Sequence, residues 1–243
     1  MKLSTWNCQG GFRNKAHRII DDAPDVLIIQ ECEPFAKLGE ISEEYPLSSA
    51  HWFGDSAIKG LAVFVRSPYA LRVHPQYDPN VKGIVPLIIS SSANGLDATS
   101  EITLFAVWTG IAPSKRESYI GQIWTALECY RSIFKTNHRI ILAGDFNSNT
   151  IWDKEHKGHS HSLVVERLAS HDIHSIYHLT KGEQHGEETQ PTFHLQKKTT
   201  QPFHIDYIFA SAPLLSTHSN FTLAEHSNWL DCSDHLPMTV RIG

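Results

Sequence analysis

Five segments place hydrolytic side chains at the ends of short apolar runs. Asn7 follows residues 3–6 and Glu31 follows residues 26–30. Asp145 and Asn147 follow residues 140–143, Asp206 stands within residues 205–210, and Asp234-His235 leads into residues 236–242. Asn and Asp after a strand commonly form turns, so Asn7 or Asn147 alone says little. Asp206 says more: strands disfavour Asp, and a carboxylate between Ile205 and Tyr207 needs a partner or a metal once buried. The residue types suit metal-assisted phosphodiester hydrolysis. Mg²⁺ takes hard oxygen ligands and keeps several waters, so one or two carboxylates and an amide oxygen suffice. A histidine close to a carboxylate is held in one tautomer and acts on a proton or a developing charge. An Asp-x-Asn pair can position a water and a phosphoryl oxygen together.

The elements that must carry these residues are mostly short strands. Strands are expected at residues 3–6, 26–30, 61–66, 86–90, 102–108, 140–143, 205–210, 221–224 and 236–242. Helical spacing marks residues 16–20 and 163–168. The strongest helix expectation is 115–134, where Ile120, Ile123, Trp124, Leu127 and Tyr130 recur at i, i+3, i+4, i+7 behind a Ser114–Glu117 capping box. Several strands follow one another without a helix, which points to α+β layering and not to a Rossmann alternation. Neither a repeat nor a linker is visible, so one domain over residues 1–243 is expected.

Thr5-Trp6-Asn7, Ile29-Gln30-Glu31, Gly144-Asp145-Phe146-Asn147, Ile205-Asp206-Tyr207 and Ser233-Asp234-His235-Leu236-Pro237 occur in an order that resembles the endonuclease/exonuclease/phosphatase superfamily, which includes exonuclease III-like and DNase I-like phosphodiesterases. Each motif is weak alone; ordered over nearly the whole chain, they are specific. The resemblance implies a four-layered α/β/β/α sandwich of two packed mixed sheets with helices outside, and a site where loops converge at one end. It implies Mg²⁺ (or Mn²⁺) on Glu31, supported by Asn7 and Asp234. Asp145 matches the residue that orients or deprotonates the attacking water, and Asn147 the one that holds a phosphate oxygen and that water. His235 matches the histidine beside the scissile phosphate, and Asp206 its carboxylate partner. Two positions depart from the pattern. Gln9 stands where several relatives carry an acid, and Trp108 where they often carry Tyr or His. Indole donates one N–H but is neither acid nor base.

Other candidates are less pointed. Arg13 and Lys15 could line a phosphate channel or start a solvated helix, and Lys197 and Lys198 are similar. Trp152 could stack on a base or pack in the core. His204, before Ile205-Asp206, could be structural or face a phosphate. His156, His159 and His161 with Asp153 look superficially like zinc ligands, but a polar surface loop is preferred. His171, His174 and His178 read as surface residues.

Composition narrows the remaining choices. The formal charge is −5, from 21 basic and 26 acidic residues, so binding of nucleic acid requires a local basic surface or a metal. Four scattered cysteines form no CxxC pair, which suits free thiols in a reducing cytoplasm. The first residues lack a signal-peptide h-region, and no apolar run approaches the ~20 residues of a membrane span. The expectation is a cytoplasmic, metal-dependent phosphodiesterase acting on nucleic acid, with DNA favoured, and with no membrane and no obligate protein partner. The alternatives are a phosphoesterase acting on a phosphoinositide, sphingomyelin-type or phosphotyrosyl substrate, and a catalytically silent binding module. Fold and core chemistry alone do not select among the substrates.

Overall fold

The computed structural model describes residues 1–92, 101–156, 158–215 and 220–242. In chain order its strands and α-helices are β1 (Lys2–Asn7), α1 (His17–Ile20), β2 (Val26–Cys32), α2 (Phe35–Leu38), β3 (His51–Phe53), β4 (Gly60–Val65), β5 (Tyr69–Val73), β6 (Ile84–Ser91), β7 (Ile102–Trp108), α3 (Ile120–Cys129), α4 (Arg131–Thr136), β8 (Ile140–Asp145), α5 (His161–Ala169), β9 (Ile173–Ser175), α6 (Ile176–Lys181), β10 (Phe193–His194), β11 (Pro202–Phe203), β12 (Asp206–Ser211), β13 (Phe221–Leu223) and β14 (Met238–Arg241).

The strands form two six-stranded mixed sheets, ordered β13-β14-β1-β2-β4-β3 and β5-β6-β7-β8-β12-β9, plus a β10-β11 ribbon. Strand alternation builds the layers. On β2, Val26 and Ile28 face the other sheet while Leu27 and Ile29 face outward. On β7, Leu104 and Ala106 join the inter-sheet core, and Phe105 and Val107 pack outward with Ile123, Leu127 and Phe134 of α3 and α4. The first sheet's outer face is covered by Phe12, Ile19 and Leu38. The result is the expected α+β, four-layered arrangement.

The long expected helix over 115–134 is divided. Ser114 caps a 3₁₀ turn, Lys115–Glu117, and accepts from the Glu117 N–H at 3.3 Å. Tyr119 then turns to φ 51°, and α3 begins only at Ile120. A second break falls at Tyr130, whose hydroxyl bonds the backbone of Asp78 and whose ring packs on Phe105. Tertiary contacts therefore override the helical periodicity. No helix among the described residues is long and apolar enough to cross a membrane.

Candidate active site

Topology brings the polar strand ends together. β1 and β2 run parallel, as do β7 and β8, so Asn7, Glu31, Trp108 and Asp145 all sit at or near the same strand ends. β8 pairs with antiparallel β12 in a register that sets Asp206 opposite Asp145, while Trp108 lies opposite Asp145 on the other side. β14 runs antiparallel to β1, and the segment entering it carries Asp234 and His235 to this end.

Local backbone geometry aims the side chains. A register shift between Ile29 and Cys32 places Glu31 at φ 60°. Asn147 also adopts a positive φ, 46°. Gly144 has φ 143°, and a Cβ there would lie 1.9 Å from the Val107 carbonyl oxygen, so only glycine fits the turn of β8 into the site.

Asp145 is fully buried. Its Oδ1 accepts the Asn147 backbone N–H at 2.8 Å, and its Oδ2 accepts the amides of Asn147 at 2.8 Å and Asn7 at 3.0 Å. His235 Nδ1 lies 2.9 Å from Asp206 Oδ2, and its Nε2 lies 3.9 Å from Asp145 Oδ2. Facing a carboxylate, Nδ1 must carry the proton, which leaves Nε2 toward Asp145. Asp206 Oδ2 also accepts the Thr192 hydroxyl at 2.7 Å.

These contacts set the charges. Burial, reinforced by the Asp206 charge, raises the Asp145 carboxyl above its usual range, while His235 and the Asn7 and Asn147 bonds oppose the shift. Burial alone would lower His235, but the facing Asp206 and Asp145 outweigh it and hold the imidazole proton above the ordinary range. A poised carboxylate thus sits beside a cationic ring.

Glu31 and Asp234 line the approach. Glu31 Oε1 is 3.5 Å from Asn7 Nδ2, and Oε2 pairs with Lys59 Nζ at 2.8 Å. Gln9 Nε2 donates to Asp234 Oδ2 at 2.9 Å, so this departure from the acidic pattern serves to hold a carboxylate. Glu31 and Asp234 offer carboxylate oxygens that suit a hard divalent ion keeping most of its waters, while Asn7 turns its Nδ2 toward Glu31 and Asp145 and its Oδ1 accepts the Gln9 N–H. Asp145, Asp206 and His235 also bring ligating atoms within 4.8 Å of one another, but there the His235–Asp206 hydrogen bond already occupies Nδ1.

A groove of about 840 Å³ runs outward from Glu31 and Asn147, walled by Trp52, Phe53, Tyr77 and Trp108 with Lys59 and Lys82 at its sides. Trp108 is half-buried there, with Lys59 Nζ 6.0 Å from its ring centre. The other expected substrate contacts have different surroundings. Arg13 is exposed and its guanidinium reaches the Lys37 carbonyl, Trp152 packs on Phe203, and buried His204 bonds the Gln190 carbonyl. Lys15 is neither a channel nor a solvated cation: its ammonium bonds the carbonyls of Cys8, Gly10 and Cys232, tying the Gln9 turn to the segment before Asp234.

The sequence reading missed Thr192 and Lys59. Lys59 was readable from pairing, because antiparallel β4 sets Gly60 opposite Cys32 and so carries Lys59 beside Glu31. Thr192 had no local signal. The expectation of surface histidines fails at three positions: His159 and His161 are buried, and the His178 side chain is only 9% exposed.

The profile of the Endonuclease/Exonuclease/phosphatase family matches residues 4–235. The chain belongs to this family. Family members are phosphoester hydrolases, and the matched span includes every residue of the site described above. Among solved structures, the endonuclease domain of TRAS1, a telomere-specific non-LTR retrotransposon, is similar at 20% identity, with 99% of this chain and 97% of that one covered and a TM-score of 0.64. A Neisseria 3′ phosphatase bound to a product DNA hairpin is similar at 19% identity, covering 100% and 99%, with a TM-score of 0.66. TDP2 from C. elegans is similar at 17% identity, covering 99% and 74%, with a TM-score of 0.68. At these identities the likeness to solved structures is one of fold. A search of curated proteins finds no match.

Proposed function

We propose that this family member is a Mg²⁺- or Mn²⁺-dependent phosphodiesterase that hydrolyses nucleic acid, with DNA the favoured substrate. The observation that carries the reading is the convergence of Asp145, gripped by Asn7 and Asn147, with the His235–Asp206 pair at the head of the groove where Glu31 stands. Glu31 would hold the ion with Asp234, and Asn7 would support it directly or through a water once its amide turns; the bound ion supplies Lewis-acid stabilisation of phosphoryl charge. Asp145, with its raised proton affinity, accepts a proton from the attacking water, and Asn147 orients that water and a phosphate oxygen. His235 places its Nε2–H and positive charge toward the phosphoryl oxygens, and Asp206 with Thr192 fixes the ring.

The groove supports a nucleic acid over a lone phosphoester. Trp52, Phe53, Tyr77 and Trp108 line it with aromatic surface for bases, and Lys59, now paired with Glu31, would become a local cation once an ion takes that carboxylate. The DNA hairpin held by the Neisseria relative accords with that choice. A protein of this type would work in the cytoplasm, without a membrane.

A hydrolysis panel of DNA, RNA and a small phosphodiester, with Mg²⁺, Mn²⁺ or EDTA, tests the reading. DNA cleavage that requires the metal, and that falls by orders of magnitude in Glu31→Gln, is expected. Full activity in EDTA would sink it. Turnover of a phosphoinositide with none of DNA or RNA would transfer the site to the non-nucleic alternative.

A further inference from the structure

A second cluster of ligating side chains lies outside the site just described. His178 on α6, and His185 and Glu188 on the loop after it, bring one ligating atom each within 4.8 Å of the others. They gather around Tyr207, the residue after Asp206 on β12, whose side chain alternates to the opposite face of the sheet from the Asp206 carboxylate. The His161 ring, 1% exposed, lies 5.5 Å from that of His185.

The hydrogen bonding of this cluster is incomplete. His161 Nε2 and His185 Nδ1 are buried without a partner. His161 Nδ1 is 3.2 Å from the Ser148 hydroxyl, and His178 Nδ1 is 2.7 Å from that of Ser175. Such outer partners orient imidazoles, and an ion between His178 and Glu188 would replace the hydrogen bond that now joins them. The Glu188 carboxylate receives Asn149 Nδ2 and the Gly186 N–H, and sits 3.1 Å from His178 Nε2. The His178 and His185 rings stack 3.5 Å apart at 18°.

We propose that His178, His185 and Glu188, beside the unpartnered Nε2 of His161, bind one divalent ion of the zinc class with a fourth position open to water, separately from the Glu31 site. Imidazole nitrogens with one carboxylate match the tetrahedral preference of Zn²⁺ and are poor ligands for Mg²⁺. Sharing an ion requires the two stacked rings to open like a hinge, with His185 moving on the chain between α6 and β10. That chain continues to Thr192, which holds Asp206, so the ion would pin a segment that braces the candidate active site.

The experiment uses Co²⁺ as a spectroscopic stand-in. Metal-stripped full-length chain is titrated with Co²⁺ and read by visible ligand-field absorption, with bound metal counted by elemental analysis. One equivalent should give the intense bands of tetrahedral Co²⁺, and Zn²⁺ should erase them by displacement. Glu31→Gln should keep the bands, whereas His185→Ala and Glu188→Gln should each lose them. Circular dichroism identifies any variant that fails to fold; the near-isosteric Glu188→Gln then stands for His185→Ala. Absence of tetrahedral bands in the wild-type chain would overturn the proposal outright, leaving a ring stack without a metal. Bands lost in Glu31→Gln and kept in folded His185→Ala or Glu188→Gln would overturn it as well. None of these readouts depends on hydrolysis, so failure here is separate from failure of the proposed function.

Discussion

His235 Nδ1 and Asp206 Oδ2 stand 2.9 Å apart, with side chains only 6% and 4% exposed. The Nδ1–H that the ring donates to the carboxylate joins the two buried groups into one unit. If the pair acts as a unit in turnover, removing either member should disable it nearly as fully as removing both. We expect His235→Ala and Asp206→Asn to be strongly non-additive in kcat/KM, and to show a stability coupling of about 0.5–3 kcal/mol. Additive losses in the double variant would show that the two side chains act separately.

Asp145→Asn tests the proton acceptor and exposes a structural cost. Both carboxylate oxygens accept N–H groups, from Asn147 and Asn7, so an amide NH₂ in either position faces a donor. The variant should lose about 1–3 kcal/mol of stability and essentially all turnover. Substrate affinity should hold, because the groove walls are untouched. Equilibrium binding and single-turnover kinetics on the same preparation check both halves, and lost binding with normal chemistry would contradict the role.

Trp108 provides the test of the groove. Trp108→Phe keeps the aromatic face and removes one N–H, which should cost about 0.5–1.5 kcal/mol, or up to roughly tenfold in rate. Trp108→Ala removes the face too and should cost more. Melting temperature and specific activity are measured together, since a large stability loss with intact turnover would make Trp108 a packing residue only.

The histidine cluster predicts acid sensitivity. Burial holds His161 well below its ordinary value of 6.5, and His185 falls to about 3. The folded chain therefore refuses protons that the unfolded chain takes up below 6.5. The stability these rings contribute is fully present above that pH and is lost as the pH falls toward the folded values. In the presence of a chelator, melting temperature should drop on acidification through this window. His185→Gln, which cannot titrate, should flatten the slope. An unchanged slope would place the acid sensitivity elsewhere.

The sequence alone determined the residue types at the strand ends and most of the central strands. Both signals are local: apolar runs such as residues 102–108 and 140–143 fold as strands, and the polar residue that ends each run is read in place. Asp206 was legible for the same reason, being a carboxylate where its neighbours demand burial. Only the tertiary structure decided which ends meet. Asn7 and Asp145 bond across 138 residues of chain because β1, β2, β7 and β8 point the same way, and pairing of that kind is a sum of distant packing contacts that no local window contains. The same holds for the division of the long helix at Tyr119 and Tyr130, and for the Thr192 hydroxyl on Asp206. It holds most clearly for His161, His178 and His185. A histidine carries no mark of its surroundings in sequence; only the packing around Tyr207 and beside Glu188 brings these three rings together.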